Sequence, residues 1–80
     1  MKQGGDPAEA AQRKAERMFK LNSRNAENGD PVAQLELGKA YLDGAGCAAD
    51  AEQGRHWLQQ AALHGVNAAK ERLEALNLAG

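Results

Sequence analysis

Apolar side chains recur along this chain at the spacing of a helix. Ala33, Leu37, Ala40 and Tyr41 fall on one stripe, Trp57, Leu58, Ala61 and Ala62 on a second, and Ala69, Leu73 and Leu76 on a third. Residues three, four and seven apart share a face of an α-helix, so each stripe predicts a helix with one buried side. The punctuation agrees. Asp6-Pro7-Ala8-Glu9 reads as an N-cap, a proline at the first helical position and a carboxylate able to reach back to the cap. Asp30-Pro31 repeats the cap and proline, Asp50 with Gln53 offers a capping box, and Asn67 stands as a fourth cap. Gly29, Gly44 and Gly65 follow where a helix end favours a left-handed residue. Helices are therefore expected from about Pro7 to Asn28, from Pro31 to Asp43, from the Asp50 cap to about His64, and from the Asn67 cap to about Leu78. Apart from the Gly44–Ala49 loop, the links are so short that neighbouring helices must lie antiparallel. Residues 1–6 are expected to be a flexible N-terminus, and 7–79 a single domain.

Composition supports an all-α reading and bounds the core. Eighty residues make one domain at most. The chain is 42% hydrophobic, but half of that is alanine, so packing rests on nine leucines with Met18, Phe19, Val32, Val66, Tyr41 and Trp57. Isoleucine and threonine are absent, which removes most of the β-branched material that strands favour. The net charge of −1 is spread along the chain, with no basic block. That argues against nucleic-acid binding by phosphate neutralisation and against a polybasic membrane anchor. No apolar run is long enough to insert in a bilayer, and the first residues do not read as a signal peptide. Cys47 is the only cysteine, so no intramolecular disulfide can form. These features lead to the expectation of a cytoplasmic protein, although a chain trimmed of a signal, periplasmic or secreted, would read the same.

Shifting the chain against itself by 36 residues brings Leu21 onto Trp57, Ala26 onto Ala62, Gly29 onto Gly65, Ala33 onto Ala69 and Leu37 onto Leu73. Between the two glycines stand Ala33-Gln34, Leu37-Gly38, Tyr41, Gly44-x-Gly46, Asp50, Trp57 and Ala61-Ala62. This array resembles the Sel-1-like repeat, a relative of the tetratricopeptide repeat. The resemblance implies four antiparallel helices in a fragment of an α/α superhelical solenoid. One full unit spans about 29–65, with the second helix of a preceding unit at 7–28 and the first helix of a following one at 66–78. There are departures. Cys47 replaces a usual valine, Asn25-Ala26 replaces an Ala-Ala pair, and Glu74 replaces the glycine after Leu73. Gly54 replaces a usual alanine. It is expected to be a mild helix defect of about 1 kcal/mol, with a close backbone approach as the alternative.

Candidate chemistry is sparse. Ser23, the only serine, has no histidine near it in sequence. Cys47 with His56 is the one conceivable thiol–imidazole pair, and Cys47 reads better as a small apolar plug. His56 and His64 sit two turns apart, ~12 Å along a helix, too far to share one metal ion. Gly44-Ala45-Gly46 lacks the strand of a phosphate loop, and Asp50 and Glu52 would repel an anion at the helix that follows. No catalytic, cofactor or metal residue is assigned, and the expectation is a protein without enzymatic activity.

In tetratricopeptide-type units the first helix lines the concave face. With Leu37, Gly38 and Tyr41 as core, the resemblance puts Leu35, Lys39 and Leu42 on that face, followed one unit later by Glu71, Ala75 and Leu78. Leu35 and Leu42 then make an apolar strip beside a cation, suited to a helix or extended segment of another protein. The expected function is an adaptor that binds another protein there. The alternatives are a structural piece of a longer solenoid, a self-associating homodimer and, behind both, a hydrolase-like accessory. A few relatives of this repeat type are described as hydrolytic, but they are rich in paired cysteines, which this chain lacks.

Overall fold

The computed structural model describes residues 7–79. They form four helices, α1 (Pro7–Glu27), α2 (Pro31–Asp43), α3 (Ala51–Leu63) and α4 (Asn67–Ala79), with no strand among the described residues. Each helix packs on the next in the chain. The all-α row of helices is therefore the one the apolar stripes require. Asp6 and the rest of 1–6 lie outside the described residues.

The caps explain where the helices start. Asp30 is extended, and its Oδ1 accepts from the backbone N–H groups of Val32 (3.0 Å) and Ala33 (3.3 Å). Asp50 does the same for Gln53 at 3.2 Å. These bonds satisfy donors that have no partner inside the helix. Asn67 departs from expectation: it is the first residue of α4 and not its cap. The carbonyl of Val66 takes the first helical N–H groups, from Ala69 and Lys70, while its side chain is held against Leu58, Ala61 and Ala69. Burial of that valine fixes the entry to α4, so a polar cap is not required.

The ends of α1 and α3 are built alike. Gly29 N–H donates to Ala26 and Asp30 N–H to Asn25; Gly65 N–H donates to Ala62 and Val66 N–H to Ala61. Both sets form a Schellman motif around a glycine of positive φ (94° and 88°), displaced by 36 residues. The core repeats in the same register. One cluster is Ala26, Ala33 and Leu37, with Phe19, Tyr41 and Trp57 packed on it. Phe19 meets Tyr41 edge to face, centroids 5.3 Å apart. The second cluster is Leu58, Ala61 and Ala69, with Ala62, Val66, Leu73 and Leu76 around it, joined by Leu35 and Leu42 of α2.

Two glycines set the α2–α3 seam. A Cβ on Gly38 would meet Leu58 Cγ at 2.9 Å and the Gly54 carbonyl at 3.0 Å; one on Gly54 would meet Leu42 at 2.8 Å and the Gly38 carbonyl at 3.0 Å. Both residues are buried. Gly54 is thus not a defect: it is the partner of Gly38 in a crossing where the backbones nearly touch. Alanine there gains about 1 kcal/mol of helix propensity but overpacks the seam, which typically costs about 1–3 kcal/mol. Gly54→Ala is therefore expected to lower the thermal midpoint, read by the loss of helical circular dichroism. A higher midpoint in Gly54→Ala would mean the seam is loose.

Gln34 is the one buried polar side chain among the described residues. Its Nε2 donates to the Ala26 carbonyl at 3.1 Å, and its Oε1 lies 3.2 Å from His64 Nδ1. The same Nδ1 lies 2.9 Å from the Gln60 carbonyl. Both neighbours of Nδ1 are acceptors, which assigns the proton to that nitrogen. One amide thereby joins the ends of α1 and α3 through α2. Gln34→Ala is expected to destabilise the fold by about 1–3 kcal/mol in chemical denaturation. His64→Ala, which removes an exposed partner, should cost clearly less; equal losses would show that the amide's bond to α1 contributes nothing.

Candidate protein-binding groove

A shallow groove of about 270 Å³ opens between α2 and α4, lined by Leu35, Lys39, Ala68, Glu71 and Arg72. Leu35 and Lys39 lie one turn apart on α2, and Ala68, Glu71 and Arg72 follow helical spacing on α4. Each wall thus presents small or apolar surface beside a charge. Lys39 also pairs with Glu36 at 3.5 Å, a half-exposed bond within one helix face.

Of the residues the sequence assigns to the concave face, the structure brings together Leu35, Lys39 and Glu71. Leu42 is not in the groove. It turns into the α2–α3 seam, with its side chain over Gly54. The two leucines are therefore parted: both are half-buried on the α3–α4 cluster, but Leu35 borders the groove with α4 while Leu42 lies over the start of α3. Leu78 is 89% exposed, ~10 Å beyond Glu71 along α4, and lines no part of the groove. Arg72 and Ala68 went unassigned. Both lie within four residues of Glu71, so reading the whole face of α4, instead of counterparts of α2 alone, finds them.

The remaining polar groups stay apart. The Cys47 thiol lies 3.6 Å from the Ala40 carbonyl in the α2–α3 turn. His56 is exposed, its ring edge-on to Trp57 with centroids 5.1 Å apart. Ser23 is half-buried on α1. No hydrogen bond joins any of these three to another. Among the described residues no group of three histidine, cysteine or acidic side chains could hold a metal ion. Asp50 occupies the N-terminus of α3 that a phosphate would need. No described helix is long and apolar enough to cross a membrane.

Burial, and after it the charge of Asp50, pushes the Cys47 thiol up from its ordinary value. A raised pKa leaves less thiolate at neutral pH, and thiolate is the reactive form. Alkylation of Cys47 by iodoacetamide should therefore be several-fold slower in the folded chain than in urea. The rate should keep rising with pH beyond the range where an exposed thiol levels off.

Residues 31–66 match the Sel1 repeat family model. That span runs from the start of α2 through α3 to the residue before α4. Compared with curated proteins and with solved structures, the chain has no significant match. Sel1 repeats are generally protein–protein interaction modules and typically non-catalytic.

Proposed function

We propose that this chain, whose residues 31–66 match the Sel1 repeat model, acts as an adaptor with no catalytic activity of its own, holding a segment of another protein in the α2–α4 groove. The observation that carries this reading is the convergence of Leu35 and Ala68 with Lys39 and Arg72 around one groove. An apolar floor with two cations beside it suits a helix or extended peptide that offers an apolar side chain next to a carboxylate. Glu71, on the same wall, disfavours a densely acidic segment and favours one with mixed charge. The small, open groove fits a transient contact better than a permanent one.

The test is selection of peptides on the wild-type chain, followed by affinity measurement with Lys39→Glu/Arg72→Glu. Both side chains project from helix surfaces, so the double variant is expected to fold. Peptides with an apolar residue next to a carboxylate should emerge, bind more weakly as salt rises, and lose about tenfold or more in affinity to the variant. Selected peptides that bind the variant as tightly as the wild type would place recognition elsewhere.

A further inference from the structure

Five large apolar side chains stand exposed among the described residues: Met18, Leu21, Val32, Leu63 and Leu78. Four of them lie at the two ends of the helix row, Met18 and Leu21 on α1, Leu63 at the end of α3 and Leu78 on α4. The 36-residue repeat supplies the contact that three of them, Leu78, Met18 and Leu21, would make if covered. Leu78 is the counterpart of Leu42 and Met18 of Gly54, and Leu42 lies directly against Gly54 in the α2–α3 seam. Leu21 is the counterpart of Trp57, which packs on the cluster of Ala26, Ala33 and Leu37. The counterparts of Ala26 and Leu37 are Ala62 and Leu73. Together with Leu63 they line an open, largely apolar groove of about 450 Å³ between α3 and α4.

The exceptions to the repeat are matched to each other. Gly38 meets Leu58 in the seam. Their counterparts are Glu74 and Asn22. A small residue facing a large apolar one becomes a carboxylate facing an amide that can donate to it. Charge does not decide the contact: α1 carries five cations, Arg13, Lys14, Arg17, Lys20 and Arg24, against three carboxylates, while α3 and α4 together carry three of each sign and Lys70 is the charged residue that lines the groove. The apolar counterparts and the Asn22–Glu74 match carry it.

We propose that copies of this chain associate head to tail: α1 of one copy covers the α3–α4 groove of the next and pairs with its α4, building a two-helix unit like α2 with α3. Met18 then meets Leu78, Leu21 enters the groove at Ala62 and Leu73, and Asn22 faces Glu74. Each copy uses a different face at its two ends, so the contact is heterologous and the assembly grows as an open row or closes as a ring. None of Leu35, Lys39 or Arg72 takes part, so this inference and the adaptor reading stand or fall separately.

Sedimentation of the 80-residue chain from micromolar to millimolar concentration tests it. The weight-average mass should climb past twice the 8.5 kDa monomer, without a plateau at the dimer. Leu21→Asp blocks the head and Leu63→Arg the tail; both side chains are exposed, and circular dichroism verifies the fold of each variant. Ala62→Arg is a second tail variant. Each variant alone should remain monomeric, because one of its two faces is missing in every pair. A head variant mixed with a tail variant should form a two-chain species and stop there, since one intact head meets one intact tail. A strictly monomeric wild-type chain overturns the proposal and leaves the groove to a neighbouring segment or another protein. So does a dimer that mixing fails to restore, which would mean a symmetric contact, and so does undiminished assembly of the folded tail variants.

Discussion

The missing Cβ atoms of Gly38 and Gly54 set the distance between α2 and α3, and the rest of the molecule is arranged around that crossing. With the two backbones so close, Leu42 and Leu58 are carried across the seam, each over the other helix's glycine. Leu58 becomes fully buried and gathers Ala61 and Ala69 beside it, so α4 is seated by the same crossing that joins α2 to α3. Small residues at these points let an 80-residue chain with few large side chains reach dense packing. The cost is sensitivity, because a single methyl group has no space to occupy.

The crossing also decides what remains open. Leu42 is drawn inward, whereas Leu35, nearly two turns earlier on the same face, is left at the border of α4 with Lys39 beyond it. The groove is thus a by-product of helix geometry: where α3 covers α2 there is core, and where α4 only flanks α2 the surface stays open. Gln34 stabilises this arrangement from the other side. Its amide bonds the end of α1 and reaches His64 at the end of α3, so the three helices share one buried polar link with both amide ends satisfied.

Polar chemistry elsewhere serves the fold. Asp30 and Asp50 cap helices, and Cys47 lies against a helix-end carbonyl, where burial pushes its thiol pKa up. Exposed apolar side chains, by contrast, concentrate at the ends of the helix row, where the repeat pattern continues in sequence but the structure offers nothing to cover it.

The sequence by itself determined the helices, their limits and their register. Stripes at helical spacing, Asp-Pro starts and glycine stops depend on neighbours within a turn or two, and local hydrogen bonding reproduces them almost residue for residue. The 36-residue shift likewise appears in the backbone bonds at Gly29 and Gly65. What the tertiary structure decided depends on contacts between helices. Asn67 is a good cap by type, but burial of Val66 placed the helix start one residue earlier. Gly54 looks weak within its own helix and is needed only because Gly38 lies opposite. Leu35 and Leu42 share a helical face on paper; both pack on the α3–α4 cluster, but Leu42 lies over Gly54 in the seam while Leu35 stays at the edge of the groove beside α4. Helical periodicity assigns a residue to a face, and the crossing angle of the neighbouring helix determines whether that face is core or surface.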